Sequence, residues 1–454
     1  MRIVVIGGGF GGLASALRLA KVGHQVTLAE SSDRLGGAVT TVEADGFAWD
    51  AGPRSVALPA VVRDLFRKTG RPLESELGGD LTPLAVLREH RFADGSILRL
   101  PPGAGAQRAA FERLAPGLGE TWAAYLAPYA EVWDVLRRHY FEEPWTPAAL
   151  PREVAALLDA RTTLRRRLRT ALRDERAALV AGHGFTSEGH RLRDVPVWAG
   201  VHSYLEQLFG TWTIPDADGG LARVRDLLAG RLSTRGVQVH LETPVRDIVV
   251  RDGRAVAVDT AAGELPADAV VCAIDPRRLP ALSPHVKRTA PARAPTVTHL
   301  GVTADTDDDG GGTGAWPEHE TVLHHSGISD TIVLRPGGRA PDGTRALTLL
   351  VPPGSDVADP VAALAARGLD LRGRVVARVE RSPAQVAAAG SPYGVVWDGR
   401  GTVRRRLGPA TPIPGVYAAG AHATPGSGLA YVGLGAALVA TLIGPAEKKV
   451  PPRR

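Results

Sequence analysis

The order of apolar and polar positions at the start of the chain predicts a strand, a helix and a second strand. An apolar run at residues 4–6 (VVI) leads into a glycine-rich stretch, and residues 13–21 then form a helical segment. A second β-like run covers residues 25–29 (QVTLA). This β-α-β order is typical of an α/β nucleotide-binding domain.

Two later parts of the chain repeat this mixture of helix and strand. Residues 220–290 contain a helical segment at 221–235, β-like runs at 237–241, 245–251 and 255–259, and an apolar strand at 269–274. The alternation in the first of these runs, and an Asp252-Gly253 turn between the other two, predict a small antiparallel meander. The third part, which starts at residue 395, contains a strand at 415–419 and an apolar helix at 429–443.

The segments between these parts have a different pattern. Residues 105–215 are rich in Ala, Leu and Arg at helical spacing, and residues 291–394 hold several β-like runs and one helix. We therefore predict the α/β fold class, with one Rossmann-type nucleotide-binding domain assembled from three chain segments and an inserted α+β substrate domain. The predicted nucleotide-binding segments are 1–75, 220–290 and 395–454, and the predicted substrate-domain segments are 76–219 and 291–394.

A glycine motif lies at the first strand-to-helix turn, in residues 7–12 (GGGFGG). Gly7 can adopt a turn conformation, Gly9 lets the backbone approach a pyrophosphate, and Gly12 lets the helix pack closely. Glu30 follows the second strand, where its carboxylate can accept hydrogen bonds from a ribose diol. The motif predicts an adenine dinucleotide and leaves NAD and FAD both open. The residues predicted to contact it are Gly7, Gly9, Phe10, Gly11, Gly12, Glu30 and Ser31.

Composition limits the classes of protein and partner. The chain has 454 residues, 44% of them hydrophobic, which is enough for a large core in two domains. A net charge of +6 with only 5% aromatic residues argues against a nucleic-acid groove. The single cysteine, Cys272, excludes an internal disulfide, and we predict no metal site. Without a leader pattern or an apolar run of about 18 residues, we expect a cytoplasmic protein.

One basic segment suggests a second location. Residues 162–176 form a predicted helix in which Leu164, Leu168 and Leu172 recur at four-residue spacing among several arginines. Such a helix can dock on anionic lipid and give a peripheral membrane contact. The alternative is a solvated arginine face over a leucine stripe that packs in the core.

Several landmarks resemble the flavin amine oxidase and phytoene desaturase superfamily. They are residues 30–37 (ESSDRLGG), 47–53 (FAWDAGP), 212–220 (WTIPDADGG), 243–245 (TPV), 414–421 (PGVYAAGA) and 425–428 (PGSG). They occur in the superfamily's order and span both ends and the middle of the chain. The resemblance implies FAD rather than NAD as the cofactor, bound by all three nucleotide-binding segments.

The resemblance also implies further cofactor contacts along these landmarks. They are Arg34, Gly36, Gly37, Gly52, Pro53, Arg54, Val245, Gly420, Ala421, Gly428 and Leu429. The chain departs from the superfamily pattern at two places. The Gly-Gly-Arg arginine is missing, since Ala38 follows Gly37, and the histidine of the C-terminal segment, His422, stands two positions early.

The resemblance implies an FAD-dependent oxidoreductase of the desaturase or dehydrogenase type. Its reaction would transfer a hydride from a C–H bond of an apolar small molecule, isoprenoid- or carotenoid-like or another natural product, to flavin N5. The alternative is an FAD-dependent oxidase of an amine or amino-acid-like group that uses oxygen, and a third reading is a flavoprotein-like partner subunit without catalysis. His422 is the candidate catalytic residue, with a hydrogen-bonded loop histidine as its other interpretation. The pattern specifies no oligomeric state.

Overall fold

The computed structural model describes residues 1–144, 149–304, 317–324, 331–355, 357–390 and 392–447. Its strands are β1 (Arg2–Ile6), β2 (Gln25–Ala29), β3 (Thr41–Ala44), β4 (Phe47–Asp50), β5 (Thr82–Pro83), β6 (Arg88–Arg91), β7 (Ile97–Leu100), β8 (Trp212–Thr213), β9 (Gln238–His240), β10 (Val245–Arg251), β11 (Arg254–Thr260), β12 (Gly263–Pro266), β13 (Ala269–Cys272), β14 (Thr296–Thr303), β15 (Thr321–Leu323), β16 (Ile332–Pro336), β17 (Thr344–Val351), β18 (Val375–Arg381) and β19 (Val416–Ala418).

The helices within the same ranges follow the chain in sixteen segments. They are α1 (Phe10–Lys21), α2 (Pro59–Thr69), α3 (Leu73–Leu77), α4 (Ala104–Leu114), α5 (Leu118–Leu126), α6 (Tyr129–Leu136), α7 (Arg152–Leu158), α8 (Leu164–Ala171), α9 (Glu175–Thr186), α10 (Val201–Phe209), α11 (Ala222–Thr234), α12 (Ser283–Val286), α13 (Pro360–Ala366), α14 (Pro383–Ala388), α15 (Thr402–Arg405) and α16 (Leu429–Ile443).

A five-stranded parallel sheet in the order β19-β13-β1-β2-β9 forms the centre of the nucleotide-binding part. The register pairs Val4 of β1 with Val270 of β13 and with Thr27 of β2. Helix α1 covers one face of this sheet and strands β10 to β12 pack on the other, so its central strands are continuous apolar runs, as in β1 and β13. The predicted α/β, Rossmann-type fold class is confirmed, and the sheet takes strands from all three predicted segments.

The predicted meander is smaller than the sequence pattern suggested. Strand β9 pairs in parallel with β2 and is an edge strand of the central sheet, so the prediction that residues 237–241 belong to the meander is wrong. Only β10, β11 and β12 form the antiparallel unit. As an edge strand β9 is largely exposed, and even its Val239 is 37% exposed, so the alternating pattern indicates a strand but not its pairing partner.

The inserted part is built around a seven-stranded sheet in the order β18-β14-β17-β16-β15-β6-β7. Two of these strands, β6 and β7, come from the first predicted insert, and the other five come from the second. Most neighbours are antiparallel, but β15 and β6 run parallel. Helices α4 to α10 belong to the first insert and pack mainly with each other. The exact domain boundaries stay a prediction.

The basic helix predicted over residues 162–176 is divided in two. Helix α8 ends at Ala171, and the Asp174 side chain accepts hydrogen bonds from the N–H groups of Arg176 and Ala177 to cap α9. An acidic cap of this kind starts a new helix rather than continuing the old one. The leucine stripe itself is buried, because Leu164, Leu168 and Leu172 are at most 3% exposed.

Helix α16 has the bounds that its apolar pattern predicted, and it packs along α1 in the main core. Ala436, Leu438 and Val439 are fully or almost fully buried there. Within the ranges given above, no helix combines the length and the apolar character that crossing a bilayer requires.

Two glycines of α1 determine how closely it packs. A Cβ atom at position 12 would lie 1.8 Å from the carbonyl oxygen of Gly7. A Cβ atom at position 11 would lie 2.9 Å from the Cα atom of Gly420, which follows β19 near the other end of the chain. Helix α1 therefore contacts both the glycine turn and the C-terminal segment through bare backbone.

We expect the Gly12→Ala substitution to destabilise the fold, because the atom that blocks a Cβ is backbone and cannot turn away. Overpacking of this kind costs about 1–3 kcal/mol. The measurement is the free energy of unfolding in denaturant. The matched control is Gly230→Ala in α11, where an added Cβ would meet nothing within 4 Å, and a gain of about 0.5–1 kcal/mol is expected. Equal stability of the two variants would contradict this packing.

Candidate cofactor site and adjoining cavity

The N-terminus of α1 offers both space and positive potential. A Cβ atom at Gly9 would have the Cα atom of Gly37, 4.0 Å away, as its nearest contact. Within the described residues no side chain caps this helix end, and its first turn holds no acidic residue. The free N–H groups and the helix dipole therefore favour an anion at this place. A pyrophosphate fits the gap in size and charge.

Gly7 makes the turn that aims this helix end. Its φ of +100° is in the region that favours glycine, and a Cβ atom there would lie 2.5 Å from the Ile274 side chain. Phe10 begins α1 and is buried beside Gly433 of α16. The two residues thus fix the direction in which the first turn of α1 points.

Glu30 is held in place directly after β2. One carboxylate oxygen accepts a hydrogen bond from the Gly8 N–H at 2.6 Å. The other accepts from the Ser31 hydroxyl at 3.1 Å and from the N–H and hydroxyl of Ser32, both at 2.8 Å. The carboxylate is half-buried and so oriented that it can accept further bonds from a ribose diol.

Residues 36–38 form the wall opposite α1. The Gly36 N–H donates to the carbonyl oxygen of Gly8 at 2.9 Å, which ties this loop to the first turn. A Cβ atom at Gly52 would lie 2.1 Å from the Ala38 carbonyl oxygen, so the two segments touch through backbone. Gly390, which the sequence analysis did not single out, also lies against Gly37. A Cβ atom added at Gly390 would be 3.3 Å from the Cα atom of Gly37.

Two arginines near this wall, Arg34 and Arg225, differ in their side-chain contacts. Arg34 is exposed, and the structure describes no side-chain hydrogen bond or ion pair for it; its role at the phosphate stays a prediction. Arg225 of α11 places its side chain against Gly36, with its Cδ atom 2.7 Å from an added Cβ there. Its buried Nε has no partner among the described residues, although its Nη2 contacts Asp226 at 2.6 Å. A guanidinium is therefore present near the position where the Gly-Gly-Arg arginine is missing.

The segments around Val245 and Gly420 close the site from two other directions. The Thr243 N–H donates to the Glu30 carbonyl oxygen at 2.8 Å, which brings Val245 at the start of β10 beside the expected adenosine position. Gly420 has a φ of +88° and contacts α1, and Ala421 follows it directly. The N-terminus of α16 is likewise without a side-chain cap, with Gly428 as its N-cap residue.

A cavity of about 420 Å³ continues from this site into the inserted part. Pro53 and Arg54 line it on one side and Gly428 and Leu429 on another, so four of the predicted contacts meet here. Its aromatic lining residues are Tyr140, Phe141, Phe185, Trp198, Trp397 and Tyr431. The volume and the aromatic walls are those of a small-molecule site.

The same cavity has a charged wall. Arg54 forms ion pairs with Asp50 at 3.1 Å and with Asp216 at 2.5 Å. Burial raises the pKa of Asp50 above its ordinary value, although Arg54 opposes this change. The ion pair between Arg54 and Asp216 connects residues 50–54 to the segment that precedes α11.

Two further ion pairs line this wall. Arg88 pairs with Glu206, and Arg335 pairs with Glu320 at 2.6 Å. Burial alone would raise the pKa of Glu320, but the nearby Arg335 guanidinium lowers it to about 2. The Glu320 carboxylate thus stays ionised beside Arg335 at neutral pH. The sequence did not single out any of these four residues, because each lies in a segment with no recognisable motif.

His422 lies next to the C-terminal segment but faces a different set of residues. Its Nδ1 accepts a hydrogen bond from Arg277 at 3.0 Å, and Asp275 lies 4.0 Å from the same atom. Burial lowers the pKa of His422 to about 4, so the ring is neutral near pH 7. It is absent from the described residues that line the cavity. The catalytic role of His422 stays a prediction, and these contacts are those of a hydrogen-bonded packing residue.

The chain belongs to the family described as flavin containing amine oxidoreductases, whose model matches residues 10–430. It is an FAD-dependent oxidoreductase, and FAD is its cofactor. The predicted superfamily and cofactor are confirmed. The open helix end at Gly9, the oriented Glu30 carboxylate and the adjoining cavity form a site that fits this cofactor.

Three similar proteins indicate the range of this family. The hydroxyneurosporene desaturase of Cereibacter sphaeroides is 30% identical, and the match covers 95% of each chain. The 4,4'-diapolycopene oxygenase of a Methylomonas species is 28% identical over 66% of this chain and 63% of its own length. The cyclohexylamine oxidase structure from Brevibacterium oxydans has a TM-score of 0.66 at 19% identity and covers 97% of this chain and 99% of its own, which shows a shared fold.

We expect Glu30→Gln to weaken FAD binding about tenfold, because a charged acceptor is replaced by a neutral amide. The measurement is the FAD dissociation constant of the apoprotein, followed by quenching of flavin fluorescence. The control is Glu153→Gln at an exposed position of α7, which should leave the constant unchanged. An unchanged constant in Glu30→Gln would remove this carboxylate from the cofactor site.

Proposed function

We propose that this protein is a desaturase-type dehydrogenase that acts on an apolar segment of an isoprenoid-like or related natural-product substrate. The observation that carries the proposal is the end-to-end match to a relative named as a desaturase, combined with an aromatic-lined cavity that opens from the cofactor site. When bound, FAD supplies a two-electron acceptor for the hydride that leaves a substrate carbon. Loss of that hydride and of a proton from the adjacent carbon leaves a carbon–carbon double bond.

The aromatic residues of the cavity support this role by binding and orienting an apolar chain. Phe141 and Tyr431 are 5.5 Å apart between ring centroids, and Trp198 and Trp397 meet edge to face at the same distance. Tyr431 belongs to α16, whose N-terminus is part of the cofactor site, whereas Phe141 belongs to the inserted part. A substrate that packs against these paired rings lies near the expected flavin position and away from bulk water, which favours hydride transfer over side reactions.

For this reaction the protein must hold the substrate in a fixed geometry and exclude water. The ion pairs Arg88–Glu206, which is buried, and Arg335–Glu320, which is half-buried, keep the charged wall rigid because each arginine is compensated within the wall. Burial lowers the pKa of His183 well below its ordinary value, so this ring adds no positive charge to the wall.

We expect anaerobic, FAD-loaded protein to lose its visible flavin absorbance when it is mixed with an isoprenoid hydrocarbon that has isolated double bonds. Dehydrogenation lengthens the conjugated system, so a new product band at longer wavelength should grow as the flavin band falls. Stopped-flow absorbance measures both changes. The comparison is the same protein under air with primary amines. Rapid peroxide formation from an amine, without any change with the hydrocarbon, would favour the amine oxidase and contradict this proposal.

We also propose that the face formed by α8 and α9 contacts an anionic lipid surface from which an apolar substrate is taken. A groove of about 500 Å³ there is lined by Arg165, Arg169 and Arg173 beside Leu172 and Leu179. In the described residues these three exposed arginines form no ion pair, and with Glu175 as the acidic residue in the lining the groove keeps a net positive charge that can face phosphates.

The lipid contact is tested by sedimentation with vesicles of pure phosphatidylcholine and of phosphatidylcholine with phosphatidylglycerol. We expect binding to the anionic vesicles alone, and a loss of about tenfold or more when Arg165, Arg169 and Arg173 are all changed to Glu. The matched control changes three other exposed arginines to Glu. They are Arg246, Arg251 and Arg254 of the β10–β11 hairpin. Equal losses in the two triple variants would mean that net charge, not this face, directs binding.

A further inference from the structure

One arginine of the cavity differs from the others. Arg406 directly follows α15, is only 7% exposed and lines the cavity. Its guanidinium carbon lies 4.7 Å from the centre of the Trp397 ring. One Nη atom donates to the Val395 carbonyl oxygen at 3.1 Å, and the other is 3.5 Å from the Pro425 carbonyl oxygen. These contacts fix the orientation of the side chain without neutralising its charge.

Arg406 has no carboxylate partner among the described residues. The other three arginines that line the cavity, Arg54, Arg88 and Arg335, each form an ion pair. The Nε atom of Arg406 is buried and makes no hydrogen bond. A buried and uncompensated guanidinium is costly, and burial accordingly lowers its pKa. Such a group is retained where a partner arrives from outside.

The nearest acidic groups are already engaged. Glu188 lines the cavity but lies beyond ion-pair distance of Arg406, and its carboxylate contacts the His190 ring at 3.6 Å. The Tyr140 hydroxyl also acts on Arg406, but burial raises the pKa of that phenol and keeps it neutral. Neither group forms an ion pair with Arg406, although the charge of Glu188 acts on it from a distance and opposes the lowering of its pKa.

A second source of positive potential lies beside this guanidinium. A Cβ atom at Gly426 would be 3.0 Å from an Nη atom of Arg406, so the guanidinium rests on bare backbone just ahead of α16. The uncapped N-terminus of α16, at Gly428, opens on the same cavity. Free N–H groups of a helix N-terminus and a guanidinium both bind oxyanions, and they are brought together here.

We propose that Arg406, beside the first turn of α16, binds a carboxylate group of the substrate. The inference rests on the proposed function and narrows it: the substrate has an apolar segment for dehydrogenation and one anionic end. A carboxylate carries the full charge that compensates Arg406, whereas the ring system of oxidised flavin is neutral and does not. The aromatic walls then hold the apolar segment while the anionic end fixes its register along the cavity.

The test uses FAD-loaded protein and two probes of equal length, octanoate and octanamide, at pH 8. Binding is followed through the change in the flavin absorbance spectrum, so no turnover is required. We expect octanoate to bind at least tenfold more tightly than octanamide. Arg406→Met should remove this preference, and Arg406→Lys should keep part of it because the charge remains without the planar fork. Arg405→Met is the matched control in the same turn, where the side chain pairs with Asp398 outside the cavity.

Equal binding of the two probes to unmodified protein would overturn the inference without any variant. An unchanged preference in Arg406→Met would overturn it as well. A third result would assign Arg406 to the cofactor instead: equal binding of both probes, with a weaker flavin–sulfite adduct in Arg406→Met. Failure of the proposed function is separate, because it shows as octanoate binding without dehydrogenation of any isoprenoid. Turnover of an uncharged hydrocarbon without octanoate binding would leave the function intact and contradict the carboxylate site.

Discussion

Direct backbone contact between α1 and the C-terminal segment is the constraint on which the rest of this structure depends. Gly11 approaches Gly420 so closely that an added Cβ would be 2.9 Å from its Cα atom, and Gly12 lies closer still to the turn, 1.8 Å from an added Cβ to the Gly7 carbonyl oxygen. This packing joins the first β-α-β unit to β19 and α16, which lie at the far end of the chain. The pyrophosphate end and the flavin end of the site can share one rigid frame only because of it.

The charges of the molecule follow from the same arrangement. Two helix N-termini without side-chain caps, those of α1 and α16, open into the site at Gly9 and Gly428. Each offers N–H groups to an acceptor that the chain itself does not supply. Arg406 adds an uncompensated charge near the second of them, whereas the ion pairs elsewhere in the cavity are complete. Among the described residues that line the cavity, the arginine without a carboxylate partner therefore lies at the end next to α16.

Local pattern was sufficient for the nucleotide-binding part. The glycine turn, Glu30 and the bounds of α16 could be predicted because each depends on a short motif or on an unbroken apolar run. The pairing partner of β9 could not, because an alternating pattern identifies a half-buried strand and not its neighbour. The break between α8 and α9 could not be predicted from the four-residue leucine spacing, because it depends on the Asp174 side chain that caps α9.

The cavity wall was beyond prediction for another reason. Residues 404, 405 and 406 are three consecutive arginines, but only Arg406 is buried. Its burial depends on contacts with Trp397 and with the backbone at Gly426. Such selection comes from tertiary packing, which no local pattern records. Arg225 illustrates the same point, because its position against Gly36 arises from the packing of α11 on the first β-α-β unit.

We predict that FAD contacts both ends of the chain at once. Hydrogen exchange of backbone amides, compared between apoprotein and FAD-loaded protein, tests it most directly. We predict that FAD slows exchange together at residues 9–13, at residues 30–38 and in the first turn of α16, with one dependence on FAD concentration. Protection confined to the N-terminal segments, with exchange at residues 428–432 unchanged, would contradict the account.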